Sequence, residues 1–472
     1  MKAIFNTFIY SKSAYTCNHS QERGIYLKKV RIGSGAGYGD DRIEPAIDLI
    51  DGANLDYIAF ECLAERTIAL AQNEKKQNPE SGYNHLLKYR FERILPAIKR
   101  HPTKVITNMG AANPLAAAKL VQTMAFDAGL NQLRIAVVTG DDISTSIEKF
   151  TDEVTMETNH SLADLEKPII SANAYVGAKG ISDALDDGAD IIITGRVADP
   201  ALFIGPLIHE FKQRYDNDDF LGQGTLLGHL LECAGQVMGG YFADDDRKNV
   251  PDLWNLGFPY ADFNEDGSIV MRKLATSGGL LSTETVKEQI MYEIQDPTQY
   301  FTPDVVADFS QVQVCQTAEG VKVTGATGHP KTGQLKVSVG YEDGYIIEGG
   351  ISYGGSTAIN RAKLAGNVVK KRIEYLKIPV EELQIDYVGV DSLFHGVLLD
   401  QQSPNEVRVH FAARTKTLAA AQEIKREIEA LYTNGPAAGG GVRTYTQQII
   451  AIASVLIPES AVHIQHQFLE AN

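Results

Sequence analysis

The sequence predicts an α/β fold, with an N-terminal domain of parallel βα repeats followed by an α+β domain. Three observations carry that expectation. Apolar, β-rich runs recur between residues 28 and about 215, each ending in Gly, Asn or Asp and followed by a helical pattern. Inside the runs hydrophobicity is continuous rather than alternating, as in Ile191-Ile192-Ile193, which a strand buried on both faces requires. The turns are short, so successive strands lie parallel with right-handed crossovers.

The elements follow in order. Residues 1 to about 27 read as an extension, because Asn6, Thr7, Tyr10, Ser11 and Lys12 break the apolar core a signal peptide needs. Strands are expected at 29–33, 55–61, 104–108, 133–140, 168–173 and 190–196, and helical spacing fills 114–129 and 180–187. Asn113-Pro114 and Asp199-Pro200 each pair an N-cap residue with proline at the first helical position. An open doubly wound sheet is preferred and a partial barrel is the alternative. After Gly239-Gly240 the texture changes, with 240–270 loop-like and acidic and 305–353 rich in short strands and turns such as Asp343-Gly344. Amphipathic helices near 357–376 and 418–432 flank strand-like runs at 386–390 and 406–412. The expected domains are therefore 28–244 and 245–472.

Composition excludes several classes. With 472 residues, 44% hydrophobic and 22% charged, the chain is neither disordered nor fibrous. Sixty acidic against 44 basic residues give a formal charge of −16, unsuited to nucleic acid or an anionic membrane surface. Cys17, Cys62, Cys233 and Cys315 are scattered without a C-x-x-C, which excludes a disulfide scaffold and a cysteine zinc site and suits a reducing cytoplasm. No apolar run reaches the roughly 18 residues of a membrane span. A homo-oligomer working on a small molecule is expected.

In parallel α/β proteins ligands bind beyond the carboxyl ends of the strands. The first strand leads into Gly33-Ser34-Gly35-Ala36-Gly37-Tyr38-Gly39-Asp40-Asp41. Tyr38 and Asp40 stand where a dinucleotide fingerprint needs glycine, so a tight turn or a backbone anion cradle at Gly35 and Gly37 is expected. Glu61 and Glu65 follow the second strand, Asn108 and Asn113 the third, Asp141 the fourth, and Arg196 with Asp199 the sixth. Arg196 could clamp a carboxylate or phosphate, or pair structurally with Asp199. His229 and Glu232 lie three apart on an expected helix and could form an acid–base pair, metal ligands or a core pair. No third ligand is marked by spacing, so no metal is expected. Asp262-x-Asn264-x-Asp266-Gly267 imitates a calcium loop, but Lys273 replaces the bidentate Glu at its twelfth position and a hairpin turn is expected. Arg443 ends the last of three glycine clusters in the second half.

Together these segments resemble the acyclic terpene utilisation AtuA family of bacterial proteins. The resemblance rests on Arg31-Ile-Gly-Ser-Gly-Ala-Gly-Tyr-Gly-Asp-Asp-Arg42, Leu55-Asp-Tyr-Ile-Ala-Phe-Glu-Cys-Leu-Ala-Glu65 and Thr107-Asn-Met-Gly-Ala-Ala-Asn-Pro114. Ala174-Tyr-Val-Gly177, Gly188-Ala-Asp-Ile-Ile-Ile-Thr-Gly-Arg-Val-Ala-Asp199, Gly228-His-Leu-Leu-Glu-Cys-Ala-Gly235 and Asn434-Gly-Pro-Ala-Ala-Gly-Gly-Gly-Val-Arg443 extend it. It implies a part in degrading citronellol- and geraniol-type compounds through branched acyl-CoA thioesters, as a hydratase or lyase with no cofactor beyond the CoA of its substrate. A further small domain found in some members could come from a separate chain. Glu61 or Glu65 would be the base, His229 or Glu232 the acid, the glycine loop the oxyanion donor, and Arg196 the holder of a carboxylate or CoA phosphate. The competing class is a non-catalytic binding or scaffold subunit of an acyl-CoA-processing complex.

Overall fold

The computed structural model describes residues 28–213, 215–244, 246–393 and 404–469. The extension expected over 1–27 lies outside the described residues. The six early strands are β1 (Lys29–Ala36), β2 (Tyr57–Phe60), β3 (Lys104–Thr107), β4 (Ile135–Thr139), β5 (Ile169–Ala174) and β6 (Ile191–Thr194). All but β5 run parallel in the order β1-β2-β3-β6-β4, at the centre of a ten-stranded sheet with two free edges. Strand β6 shows why its sequence is continuously apolar. Ile191 and Ile193 enter the core on one face while Ile192 enters the core on the other.

Helices α1 (Glu44–Gly52), α3 (Leu87–Arg100) and α4 (Pro114–Asp127), with α2 (Glu65–Gln77) between them in sequence, follow the first strands. Ile50, Phe91 and Val121 of α1, α3 and α4 share one core with Ile58 and Val105. The opposite face is covered by α5 (Lys179–Asp186), α6 (Ala201–Phe211) and α7 (Asp218–Leu231), whose Ile181, Ile204 and Leu227 pack with Ile32 and Ile106. Asn113 does cap α4, its side chain accepting from the Ala116 N–H at 3.4 Å. In α6 the N-cap position falls on Pro200, one residue beyond Asp199.

The expectation for 168–173 is corrected. Strand β5 leaves the parallel series and pairs antiparallel with Gln334–Gly354 in a second sheet. Its residues explain the departure: Ser171 and Asn173 are polar, and the small side chains let α2 lie close, with Ala69 packed on Ile170 and Ile450. That second sheet has five strands, the others being Glu382–Val388, Glu406–Thr415 and Gly439–Pro458. Helices Ala358–Leu376 and Leu418–Glu429 cover it through Val369, Ile373, Ile424 and Ile428.

Beyond residue 245 the chain first extends the large sheet. Strands β7 (Tyr260–Asn264) and β8 (Ile269–Arg272) form the hairpin expected around the calcium-like sequence, and β7 pairs antiparallel with β1. Asp262, nearly fully buried, ties them together. It accepts from Arg31 Nε at 2.6 Å, Arg272 Nε at 2.9 Å and Lys29 Nζ at 3.1 Å. Asp262→Asn halves the acceptor set and removes the charge that three cations face. Urea unfolding should show a loss of about 1–3 kcal/mol, as expected for charged hydrogen bonds. An unchanged midpoint would mean the cations re-solvate at no cost.

Candidate functional site

The polar residues expected at the strand ends converge, and Arg196 is their centre. It follows β6 and is buried to 1% exposure. Its Nε and Nη2 donate to the Val197 carbonyl at 2.9 and 2.6 Å, Nη1 donates to the Leu63 carbonyl, and Nη2 pairs with Asp199. The Tyr175 ring lies 4.4 Å from the guanidinium carbon. Four of its five N–H donors are turned to backbone and Asp199, so the ion pair with Asp199, the structural alternative of the expectation, is present.

Glu61, at the end of β2, is fixed through one oxygen. Its Oε1 accepts from the Leu63 N–H and from Asn108 Nδ2, both at 2.9 Å, while Asn108 Oδ1 accepts from the Cys62 N–H at 2.7 Å. Burial pushes the Glu61 carboxyl up, against the pull of Arg196 and these hydrogen bonds, and Glu232 adds repulsion. Asp199 is raised well above the usual carboxylate range, by burial first and then by Glu61 and Glu232, despite Arg196. Solvent still reaches 38% of the Asp199 side chain. The carboxyl therefore stands in a recess, touched by water but ringed by protein that desolvates its charge.

His229 and Glu232 supply the other wall. Their i, i+3 spacing at the end of α7 brings His229 Nδ1 to 2.9 Å from Glu232 Oε1. The imidazole is 2% exposed, stacked against Phe309 at 6.1 Å and tilted to Tyr300 at 5.5 Å. Burial works against its charged form, but Glu232 and then the Gln289 and Ile290 backbone outweigh burial, and the proton affinity of His229 is raised. His229 Nε2 and Glu232 Oε2 are buried without hydrogen-bond partners. Burial, with Glu232 and Asp199, keeps the Tyr300 hydroxyl protonated.

Glu65 behaves in the opposite way. Burial raises it, but the Tyr175 hydroxyl, its own backbone N–H and Lys336 bring the carboxyl down to about 2. Lys336 Nζ stands 3.1 Å from Glu65 Oε1. Two glutamates four positions apart are thus driven in opposite directions, Glu61 towards its protonated form and Glu65 towards its carboxylate.

The remaining expected residues hold structure. Asn113 donates to the Pro79 and Ser81 carbonyls at 2.7 and 2.8 Å. A Cβ on Gly35 would fall 2.6 Å from the Phe60 ring, and one on Gly37 would fall 2.3 Å from the Cys233 carbonyl carbon. The Gly37 N–H donates to Asp41 at 3.1 Å, so it is already spent. Asp141 Oδ2 accepts from the Arg196 N–H and Asn173 Nδ2, both at 2.9 Å, joining β4, β5 and β6. Arg443 lies exposed in Gly439–Pro458, donates to the Val442 carbonyl at 2.8 Å and has no ion pair with the recess. Among the described residues no three His, Cys, Asp or Glu side chains form a group that could hold a metal ion.

Sequence reasoning missed Tyr300, Lys336 and Arg90. Tyr300 and Lys336 come from the second half, where no local pattern marks them. Arg90 is fully buried in α3 and donates to the Asp41 carbonyl at 2.9 Å and to Cys62 Sγ at 2.7 Å, fixing the loop after β1. A charged residue on the apolar stripe of α3 was its one signal.

Burial pushes Asp141 from an ordinary 3.8 up to about 6, against its two hydrogen bonds. The unfolded chain releases this proton first, so stability falls as pH rises from about 4 to 6, by at most about 1.4 kcal/mol per pH unit. Asp141→Asn keeps an acceptor oxygen and lacks the titration. Its stability relative to the native chain should therefore grow between about pH 4 and pH 7 in paired denaturant titrations. A difference independent of pH would contradict the shift.

Comparison with known proteins gives one informative result. The family model described as "Acyclic terpene utilisation family protein AtuA" matches residues 30–468. No curated protein matches the chain. Two de novo designed proteins are similar to a part of it. Foldit4 is 13% identical, with 22% of this chain and 94% of that chain covered, at a TM-score of 0.16. Ferredog-Diesel is 18% identical, with 22% and 88% covered, also at 0.16. Likeness at that score carries no weight.

Proposed function

Because the chain belongs to the acyclic terpene utilisation AtuA family, we propose that it is a cytoplasmic hydro-lyase that adds water to, or removes it from, a branched acyl-CoA thioester. The observation that carries this reading is the charge count of the recess. Glu65 pairs with Lys336 and Glu232 with the His229 ring, which leaves Glu61 and Asp199 to share Arg196, the one further cation of the recess among the described residues. Two desolvated carboxylates facing one guanidinium cannot both ionise cheaply, so burial and mutual repulsion raise the proton affinity of both.

Hydration of an enoyl thioester needs such a set. The ionised member of the Glu61–Asp199 pair takes a proton from water as the water oxygen bonds to the β-carbon. The π electrons of the C=C bond shift towards the thioester carbonyl, giving an enolate. His229 and Glu232, hydrogen-bonded at 2.9 Å, form the acid pair that delivers a proton to the α-carbon, and the carbonyl re-forms. The Tyr300 hydroxyl serves the enolate oxygen as donor, since the Gly37 N–H is engaged by Asp41. Glu65, held down at about 2 beside Lys336, positions Tyr175 rather than moving protons.

The purified protein should consume a 3-methyl-branched enoyl-CoA, followed by loss of the conjugated thioester's ultraviolet absorbance. Glu61→Gln and His229→Asn should each lower kcat by roughly 10²–10⁴-fold, the range of general acid–base catalysis. Glu65→Gln should lower it by less than about tenfold. Full turnover in Glu61→Gln would remove the mechanism. No turnover by the native chain with any branched enoyl or hydroxyacyl thioester would instead favour a non-catalytic subunit.

A further inference from the structure

The His229–Glu232 pair stands where α7 ends, and a helix end is where backbone carbonyls lose their partners. The Glu232 N–H closes the last turn on the Gly228 carbonyl at 2.8 Å. The next carbonyl, that of His229, accepts instead from Gln289 Nε2 at 3.0 Å. Gln289 belongs to α8 (Thr283–Met291), 60 residues further along the chain, and is 1% exposed.

Gln289 grips both ends of the turn that carries the pair. Besides the His229 carbonyl, its side chain faces the Cys233 thiol, whose proton affinity it lowers while burial and Glu232 raise it. Glu232 lies between these two contacts in sequence. The backbone of α8 reaches the ring as well, since that of Gln289 and Ile290 favours the protonated imidazole after Glu232 does. Glu232 is the charged group against the ring, and Tyr300 and Phe309 pack on it from the second half. Helix α8 thus meets His229 at its carbonyl and at its imidazole.

The cluster carries more polar capacity than its own bonds use. His229 Nε2, Glu232 Oε2 and Gln289 Oε1 are all buried without hydrogen-bond partners. A core shaped for packing alone would pair or exclude such atoms. Helix α8 is also held without the Gln289 amide. Ser282 caps it, accepting from the Thr285 N–H at 3.3 Å, and Val286 and Ile290 share the core of Ile204 and Leu227. The bond to His229 is an addition to a helix that packing already places.

We propose that Gln289 is a positioning residue for the His229–Glu232 pair, fixing the end of α7 so that the imidazole stays on Glu232. The inference rests on the reading of that pair as the acid of the hydration, and adds the residue that holds it in place.

Gln289→Met keeps the length of the side chain and removes its donor. Val286→Ala is the control, because it loosens α8 in the core and leaves the amide in place. The full chain is prepared with carbon-13-labelled histidine, and the nuclear magnetic resonance signal absent from His229→Asn identifies His229. Both α8 variants should lower the thermal midpoint. Only Gln289→Met should bring the His229 titration midpoint down, by about half a pH unit or more. With a 3-methyl-branched enoyl-CoA it should lower kcat about tenfold with KM within about twofold, while Val286→Ala keeps the native kcat. Gln289→Asn retains an amide of shorter reach and should repeat the shift even where Gln289→Met does not fold. A native His229 titration in the Gln289 variants, or an equal shift in Val286→Ala, would overturn the assignment. The expected shift in a chain that turns over no branched thioester would count against the hydro-lyase reading and leave the hold of Gln289 on the pair standing.

Discussion

Arg196 is the constraint on which the rest of the site depends. A guanidinium at 1% exposure must be paired and hydrogen-bonded, or it would unfold the sheet end that carries it. The chain meets that demand with the Val197 and Leu63 carbonyls, Asp199 and the Tyr175 ring, drawn from the ends of β2, β5 and β6. Leu63 is fixed in turn because Glu61 accepts from its N–H. The cation therefore both knits three segments together and fixes the distribution of charge among the acids around it.

That distribution follows from topology. A parallel sheet sends its carboxyl ends to one edge, so groups far apart in sequence meet there without long loops. The antiparallel pairing of β5 with Gln334–Gly354 then carries Lys336 over the same edge, and the short strand Tyr300–Phe301 carries Tyr300 to His229. Lys336 neutralises Glu65, which leaves the anionic excess on Glu61 and Asp199. Without the second sheet the recess would have the acids but not this division of their proton affinities.

Much of this was legible in the sequence, for identifiable reasons. Strands such as β6 announce themselves because each residue must satisfy an apolar neighbour on one of two faces. The His229–Glu232 pair was legible because helical geometry fixes i, i+3 neighbours. Strand β5 was misplaced because its apolar start looks like its neighbours, and only Ser171 and Asn173 betray a different partner. The roles of Gly35, Gly37, Asn113 and Asp141 were opaque because a polar or small residue at a strand end serves packing and binding equally well. Tyr300 and Lys336 were invisible because pairing between residues far apart in sequence leaves no local trace.

The central claim is that Glu61 and Asp199 retain one proton between them because a single buried cation serves both. Infrared spectroscopy across a pH titration tests it most directly, with the Glu61→Gln spectrum as reference. A protonated carboxyl band persisting above the range in which an ordinary carboxyl ionises, and altered by the substitution, is the predicted result. Complete ionisation of the recess carboxyls within that ordinary range, with no band sensitive to Glu61, would contradict it.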